Sequence, residues 1–329
     1  MRASPATAFL ISASIACLAA SRADQRAWVR EEGSIDTMGT LFAIVAYGRD
    51  ASATQAAISD ALDEAARLDA LLSNYKPHSE WSEMNRLAAE HPVRVSKELF
   101  DLLATCQGYS RESEGAFDVS VGPLMKLWGF YKGSGHLPDG GQVLGALGSV
   151  GYRNIVLDPT NRTVCFTKGG TELDPGGIGK GYAVDRMVDI LRRDDIQAAF
   201  VSAGGSSIYA LGAPPDENGW RVDLPNPRNL SGPTQSVTLC DESLSTSGSY
   251  EKFFYADGKR WSHIMDPRTG YPARGMLSVS VIAPKTIDSE AWAKPYYILG
   301  RNWTARHKKK DFRVFMCEDR AGATCRWVN

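Results

Sequence analysis

The 329-residue chain has no dominant charge: 37 Lys+Arg stand against 38 Asp+Glu, a formal net charge of −1. No overall field draws in nucleic acid or an anionic membrane, and the balance argues against a nucleic-acid binder. Histidine is scarce, at 5, and the 6 cysteines show no CxxC spacing, so a zinc site has no support. Past the N-terminal segment no apolar run reaches the ~18 residues of a membrane helix. Internal repeats and low-complexity linkers are missing as well. G-x-S-x-G and H-E-x-x-H are absent, which removes the usual marks of serine hydrolases and zinc proteases. No G-x-G-x-x-G follows a strand and opens a helix, so a Rossmann site is unsupported. The stretch Gly176–Gly181 invites a P-loop reading, but Asp174 stands where that motif needs glycine and Gly181 where it needs Ser or Thr.

What is present is the balance of a globular protein, 43% hydrophobic and 23% charged, with 31 glycines, several in tight clusters that suit close approach of backbone to a ligand. Arg2, the apolar stretch from Ala6 to Ala20 and Ser21-Arg22-Ala23 read as a secretory signal over residues 1–23, leaving residues 24–329 as the mature protein. That makes the protein periplasmic. Ser14-Ile15-Ala16-Cys17 is similar to a bacterial lipobox, with Ser14 where an aliphatic residue belongs, so membrane contact is expected only if Cys17 is lipidated. Near the other end, Cys317 and Cys325 flank a turn-like Asp319–Gly322. They form either a disulfide or two separately buried thiols.

Apolar residues recur at helical spacing over Asp50–Leu72, Lys97–Ser110 and Gly181–Arg193. Strand-like runs cover Asn154–Leu157 and Thr163–Thr167, as a hairpin, then Ala198–Ser202, Ser206–Leu211, Gln235–Leu239, Leu277–Ala283 and Phe312–Met316. The irregular alternation predicts an α+β fold, with the mature chain as one large two-lobed domain.

Several segments carry unusual local chemistry. Leu173–Tyr182 leads an acid and a glycine turn into a helix, where backbone N–H groups and Lys180 suit an anion. The same residues also suit an ordinary glycine-rich helix start. His263 sits between a strand-like run and the turn Asp266-Pro267-Arg268-Thr269-Gly270, as a general base or a structural histidine would. Ser73-Asn74-Tyr75 and Gly115-Ala116-Phe117-Asp118 place aromatics beside polar groups, which suits a flat ring ligand as well as loop packing.

In collinear order with Met38-Gly39-Thr40, Val121-Gly122-Pro123, Leu127–Phe130, Ala203-Gly204-Gly205, Thr246-Ser247-Gly248 and Val279–Pro284, these segments are far more specific. From about Thr37 to Gly300 the chain resembles the ApbE family of FAD:protein FMN transferases. The resemblance implies the ApbE-like, T-fold-related architecture and transfer of FMN from FAD to a Thr or Ser hydroxyl of a target flavoprotein, with release of AMP. It implies that Met38, Tyr75, Ala116, Phe117, Asp118, Asp174, Lys180 and Ile264 line the FAD site. His263 would be the base or would stabilise the phosphoryl in transit, and the Gly177 carbonyl would hold Mg²⁺.

The chain departs from the family at the metal. Where the family has Asp and, four residues on, Thr, this sequence has Glu290 and Lys294; where it has Ala-Gly-Gly-Asp, Ser206 replaces the acid. Three readings follow. Lys294, paired with Glu290 one helical turn back, acts as a tethered cation in place of the metal. Mg²⁺ still binds through Glu290 and Gly177. Or transfer is lost and the protein binds or delivers FAD. FAD pyrophosphatase activity is a further alternative that uses the same pocket.

Overall fold

The computed structural model describes residues 27–229 and 232–329. The signal segment, its cleavage site and Cys17 lie outside the described residues. Eight strands form the main sheet: Val29–Thr37, Thr40–Gly48, Ala198–Ala203, Ser207–Leu211, Glu242–Gly248, Met276–Ala283, Arg313–Glu318 and Arg326–Trp327. Their spatial order is their chain order, and every neighbouring pair is antiparallel. Such a sheet needs no crossover helices, so the architecture is α+β, as the irregular alternation predicts.

Three long helices cover one face of the sheet. Ala51–Leu72, capped by Asp50, and Gly179–Arg193 bury Ile58, Ala61, Leu68, Val184 and Met187 against Phe42, Ile44 and Val201. Both lie where the helical spacing puts them. The third, Thr286–His307, packs Trp292, Ala293, Tyr296 and Tyr297 on Val279, Val281 and Val314. It has no one-sided apolar pattern, because Ser289–Ala293 are buried all round, and Pro295 and a left-handed Gly300 interrupt it. It docks through small polar groups: Ser289 Oγ lies 3.0 Å from Ser243 Oγ and 2.8 Å from Ser245 Oγ. The opposite face of the sheet is closed by the hairpin Trp220–Pro225/Pro233–Leu239, which adds Leu224 and Leu239 to Ile208, Leu244 and Phe315.

Between Leu72 and Gly179 the chain leaves the sheet and builds the second lobe. Lys97–Glu112 and the short helix Glu80–Leu87 pack on the small sheet Val93–Arg94, Thr163–Phe166 and Ile155–Asp158. The hairpin expected around Asp158–Arg162 is part of that sheet. The other strands foreseen in the sequence are present within two residues at each end. Cys317 and Cys325 are disulfide-bonded, which ties the last main-sheet strand to its neighbour and resolves the alternative left open by the sequence.

Candidate active site

The site begins with the glycine turn that returns the chain to the sheet. Asp174, only 7% exposed, caps the 3-10 turn Pro175–Gly177 by accepting the Gly176 N–H at 2.6 Å, and its other oxygen accepts the Tyr131 hydroxyl at 2.9 Å. Burial pushes its pKa up, and these two donors hold it back. The helix that follows presents Lys180, whose Nζ donates to Ser206 Oγ at 2.5 Å. Ser206 comes out of a turn in which Gly204 and Gly205 are both left-handed, and a Cβ on Gly204 would stand 2.2 Å from Thr40 Oγ1.

The third helix enters the site through two contacts with Gly179–Arg193. Asp185 accepts the N–H groups of Thr286 at 2.7 Å and Ile287 at 2.9 Å, capping the first turn. Burial raises its pKa to about 6. One turn on, Glu290 Oε2 accepts the Gly181 N–H at 2.5 Å. Glycine is required there, because a Cβ on Gly181 would meet the Thr286 carbonyl at 2.5 Å. Lys294 then lies beside Glu290, with Nζ 3.0 Å from its carbonyl and 3.7 Å from Oε1. Glu290 is 2% and Lys294 22% exposed at the side chain, so this is no surface pair. Lys294 Cε stands 3.8 Å from where a Cβ of Gly177 would be.

His263 follows the strand Lys259–Ser262, half-buried in the cavity wall. Its backbone N–H donates to the Lys252 carbonyl at 3.0 Å, and Nδ1 lies 3.2 Å from the same oxygen. A proton on Nδ1 satisfies that contact and leaves the Nε2 lone pair free. Burial, with the positive charges of Lys252, Lys294 and Lys180 nearby, pushes its pKa down to about 4, so the ring is neutral near pH 7. The next turn is locked from two sides. Asp266 pairs with Arg268 through both carboxylate oxygens, at 2.9 and 2.8 Å, and the Gly270 carbonyl accepts the Trp128 indole N–H at 3.0 Å. The Asp-Pro-Arg-Thr-Gly and Leu-Trp-Gly-Phe segments thus brace the turn that follows His263, and Phe130 and Pro267 of these segments also line the cavity.

These elements enclose an open cavity of about 930 Å³ between the two lobes, near the upper end of the range for small-molecule sites. Met38, Tyr75, Ala116, Phe117, Asp118, Asp174, Gly177, Lys180, His263, Ile264, Glu290 and Lys294 all line it. Met38 is held at φ +50° in the two-residue hairpin turn with Gly39, which requires positive φ at both positions and is rarely filled by a bulky residue. Tyr75, 68% exposed, stands edge-on to Tyr131 at the cavity mouth. Asp118 lines the cavity with Ala116 and Phe117, and its carboxylate accepts from Ser120 N–H, Ser120 Oγ and Tyr152 N–H at 2.6–2.8 Å, which also holds the loop together.

The sequence reading missed Tyr131, Glu251 and Lys252, which also line the cavity. Burial raises the Glu251 carboxyl, and Lys180, Lys294 and Lys252 pull it back. None of the three stands in a motif, and only the folding of the Phe253–Ala256/Lys259–Ser262 hairpin brings Lys252 beside His263.

The ApbE family model matches residues 38–316. The FAD:protein FMN transferase of Klebsiella pneumoniae is 33% identical over 291 residues, covering 86% of this chain and 88% of that protein. The FAD:protein FMN transferase of Treponema pallidum is 32% identical, covering 84% and 80%. Among solved structures, the ApbE protein of Thermotoga maritima superposes with a TM-score of 0.83 at 28% identity, over 91% of this chain and 96% of that one. The apo flavinyl transferase ApbE of Pseudomonas stutzeri gives 0.81 at 27%, over 92% and 95%.

Proposed function

The chain belongs to the ApbE family and is a flavin transferase, and on that premise we propose that it moves the FMN half of FAD onto a Thr or Ser hydroxyl of a flavoprotein exposed to the periplasm. The observation that carries this reading is the meeting, in one cavity, of a neutral His263 with the ammonium groups of Lys180 and Lys294 and the glycine turn capped by Asp174. Attack on a pyrophosphate needs a base for the nucleophile and fixed positive charge for the phosphates; both are here.

The acceptor Oγ bonds to the phosphorus of the FMN half, and the bond from that phosphorus to the bridging oxygen breaks. AMP leaves with that oxygen, and the hydroxyl proton passes to His263 Nε2. The Lys252 carbonyl, on Nδ1, keeps the ring in the tautomer this requires. Tyr75 and Tyr131 offer ring faces and edges to a flat heterocycle at the mouth. Export is supported by the signal pattern of residues 1–23 and by the Cys317–Cys325 disulfide, which suits an oxidising compartment.

The residues present do not fit Mg²⁺. Among the described residues no three Asp, Glu, His or Cys side chains converge. Glu290 accepts the Gly181 N–H with one oxygen and faces Lys294 with the other, Glu251 stands among the charges of Lys180, Lys294 and Lys252, and Ser206 accepts from Lys180. No step is assigned to a metal.

The test is incubation of the mature protein with FAD and an acceptor domain bearing a single exposed Thr. Fluorescent flavin should remain on the acceptor through denaturing electrophoresis. It should be absent when that Thr is replaced by Val or when His263→Gln is used. Flavin attached to the Val acceptor would overturn the proposed nucleophile.

A further inference from the structure

Lys294 is a cation built into the wall of a site whose substrate carries two phosphates. The side chain is tethered on both sides. Its Nζ donates to the Glu290 carbonyl at 3.0 Å and faces the Glu290 carboxylate at 3.7 Å, while its stem runs 3.8 Å from the Cβ position of Gly177. An ammonium has three donors, and these two contacts leave at least one for the cavity. The helix beneath it is fixed in turn: Asp185 caps its first turn, and the Gly181 N–H holds Glu290. Across the cavity wall Lys180 supplies a second ammonium, held at 2.5 Å by Ser206. The carboxylate of Glu290 is already in contact with the Gly181 N–H and with Lys294. Burial lowers the Lys294 pKa, the carboxylates of Glu290 and Glu251 pull it back up, and in its charged form it opposes a divalent ion at that seat.

We propose that Lys294 stands in for a divalent cation, its ammonium binding the FAD pyrophosphate and neutralising the charge that grows on the departing AMP. The proposal rests on the transferase reading above and deepens it: the reaction runs without metal. Transfer keeps the same balance as before, with one P–O bond formed, one broken and one proton moved to His263. Lys294 adds only fixed charge at the phosphates, arranged before the substrate arrives.

The experiment uses the mature protein, Lys294→Met, Lys294→Arg and the triple variant Glu290→Asp/Lys294→Thr/Ser206→Asp. Three quantities are read: FMN transfer in excess EDTA and in millimolar MgCl₂, ADP and riboflavin affinity by calorimetry in EDTA, and Mn²⁺ binding to the ADP complex by electron paramagnetic resonance. The natural protein should transfer equally with EDTA and with Mg²⁺, and its ADP complex should bind no Mn²⁺. Lys294→Met should lower transfer about 100- to 1,000-fold and weaken ADP, but not riboflavin, about tenfold, while Lys294→Arg restores most of the ADP affinity. The triple variant should bind Mn²⁺. Transfer by the natural protein that EDTA abolishes, or a Mn²⁺ complex with it, overturns the proposal. So does a Lys294→Met protein that binds ADP as tightly as the natural one. Were no covalent flavin formed under any condition, the transferase reading would fail, and the ADP and Mn²⁺ measurements would still decide the role of Lys294. Unchanged riboflavin affinity in Lys294→Met shows that the variant is folded.

Discussion

The carboxylate of Asp185 accepts the backbone N–H of Thr286, 101 positions away, at 2.7 Å. Through this bond one helix sets the first turn of another, and so the placement of Glu290 and Lys294 over the cavity. Asp185→Ala leaves two buried N–H groups without their acceptor and should cost about 1–2 kcal/mol of stability. It should also weaken ADP binding, although Asp185 is not among the residues lining the cavity. Asp185→Asn, which keeps one acceptor oxygen, should recover part of both. Thermal unfolding and calorimetry with ADP check the pair of effects together.

A second expectation concerns pH. Because the His263 pKa is about 4 in the folded protein and 6.5 when exposed, the unfolded chain binds more protons between those values. The contribution of His263 to stability is therefore complete above pH 6.5 and is lost as pH falls toward about 4. Asp185, raised to about 6, acts in the opposite sense over much of the same window. The comparison is thus between the natural protein and His263→Gln, whose stability difference should rise with pH across the window. The acidic limb of kcat/KM should likewise fall well below pH 6.5. A limb at or above 6.5 would show that His263 is not held neutral.

Asp174 should matter for both binding and the turn. Asp174→Ala strands the Gly176 N–H and the Tyr131 hydroxyl, and FAD affinity should drop by about 1–3 kcal/mol. Tyr131→Phe, which removes one donor and leaves the carboxylate capped by Gly176, should lose less. Fluorescence titration of FAD against the three proteins gives the order.

The disulfide gives a stability prediction independent of the site. Closing the short loop between Cys317 and Cys325 should contribute about 2.5 kcal/mol. Cys325→Ser should unfold at lower temperature than the natural protein, with FAD affinity unchanged, because neither cysteine borders the cavity. Differential scanning calorimetry with and without reductant gives the comparison.

Much of this was legible before the structure. The helices Ala51–Leu72 and Gly179–Arg193 bury one face each, so their spacing shows in the sequence. Thr286–His307 does not announce itself, because a helix enclosed by sheet and neighbour carries no polar stripe. The opening hairpin, Val29–Thr37 and Thr40–Gly48, was also missed. Its two-residue turn is Met38-Gly39, without the Asn or Asp that usually marks such a turn. At the site, motif residues such as Asp174, Lys180 and His263 were readable because their chemistry is local to a turn. The hydrogen bonds of Asp118 were not readable in this way: a sequence shows an acid beside an aromatic, not that its oxygens accept from Ser120 and Tyr152. The parts of Asp185 and Lys252 depend on pairings across the fold, which no spacing within one segment records.

The central claim is tested most directly by intact-mass spectrometry of the Thr-bearing acceptor, with AMP measured in the same reaction. The acceptor should gain the mass of one FMN less one water, and one AMP should appear for each acceptor modified. An unmodified acceptor would contradict the account, whether FAD remains bound and intact or is split to free FMN and AMP.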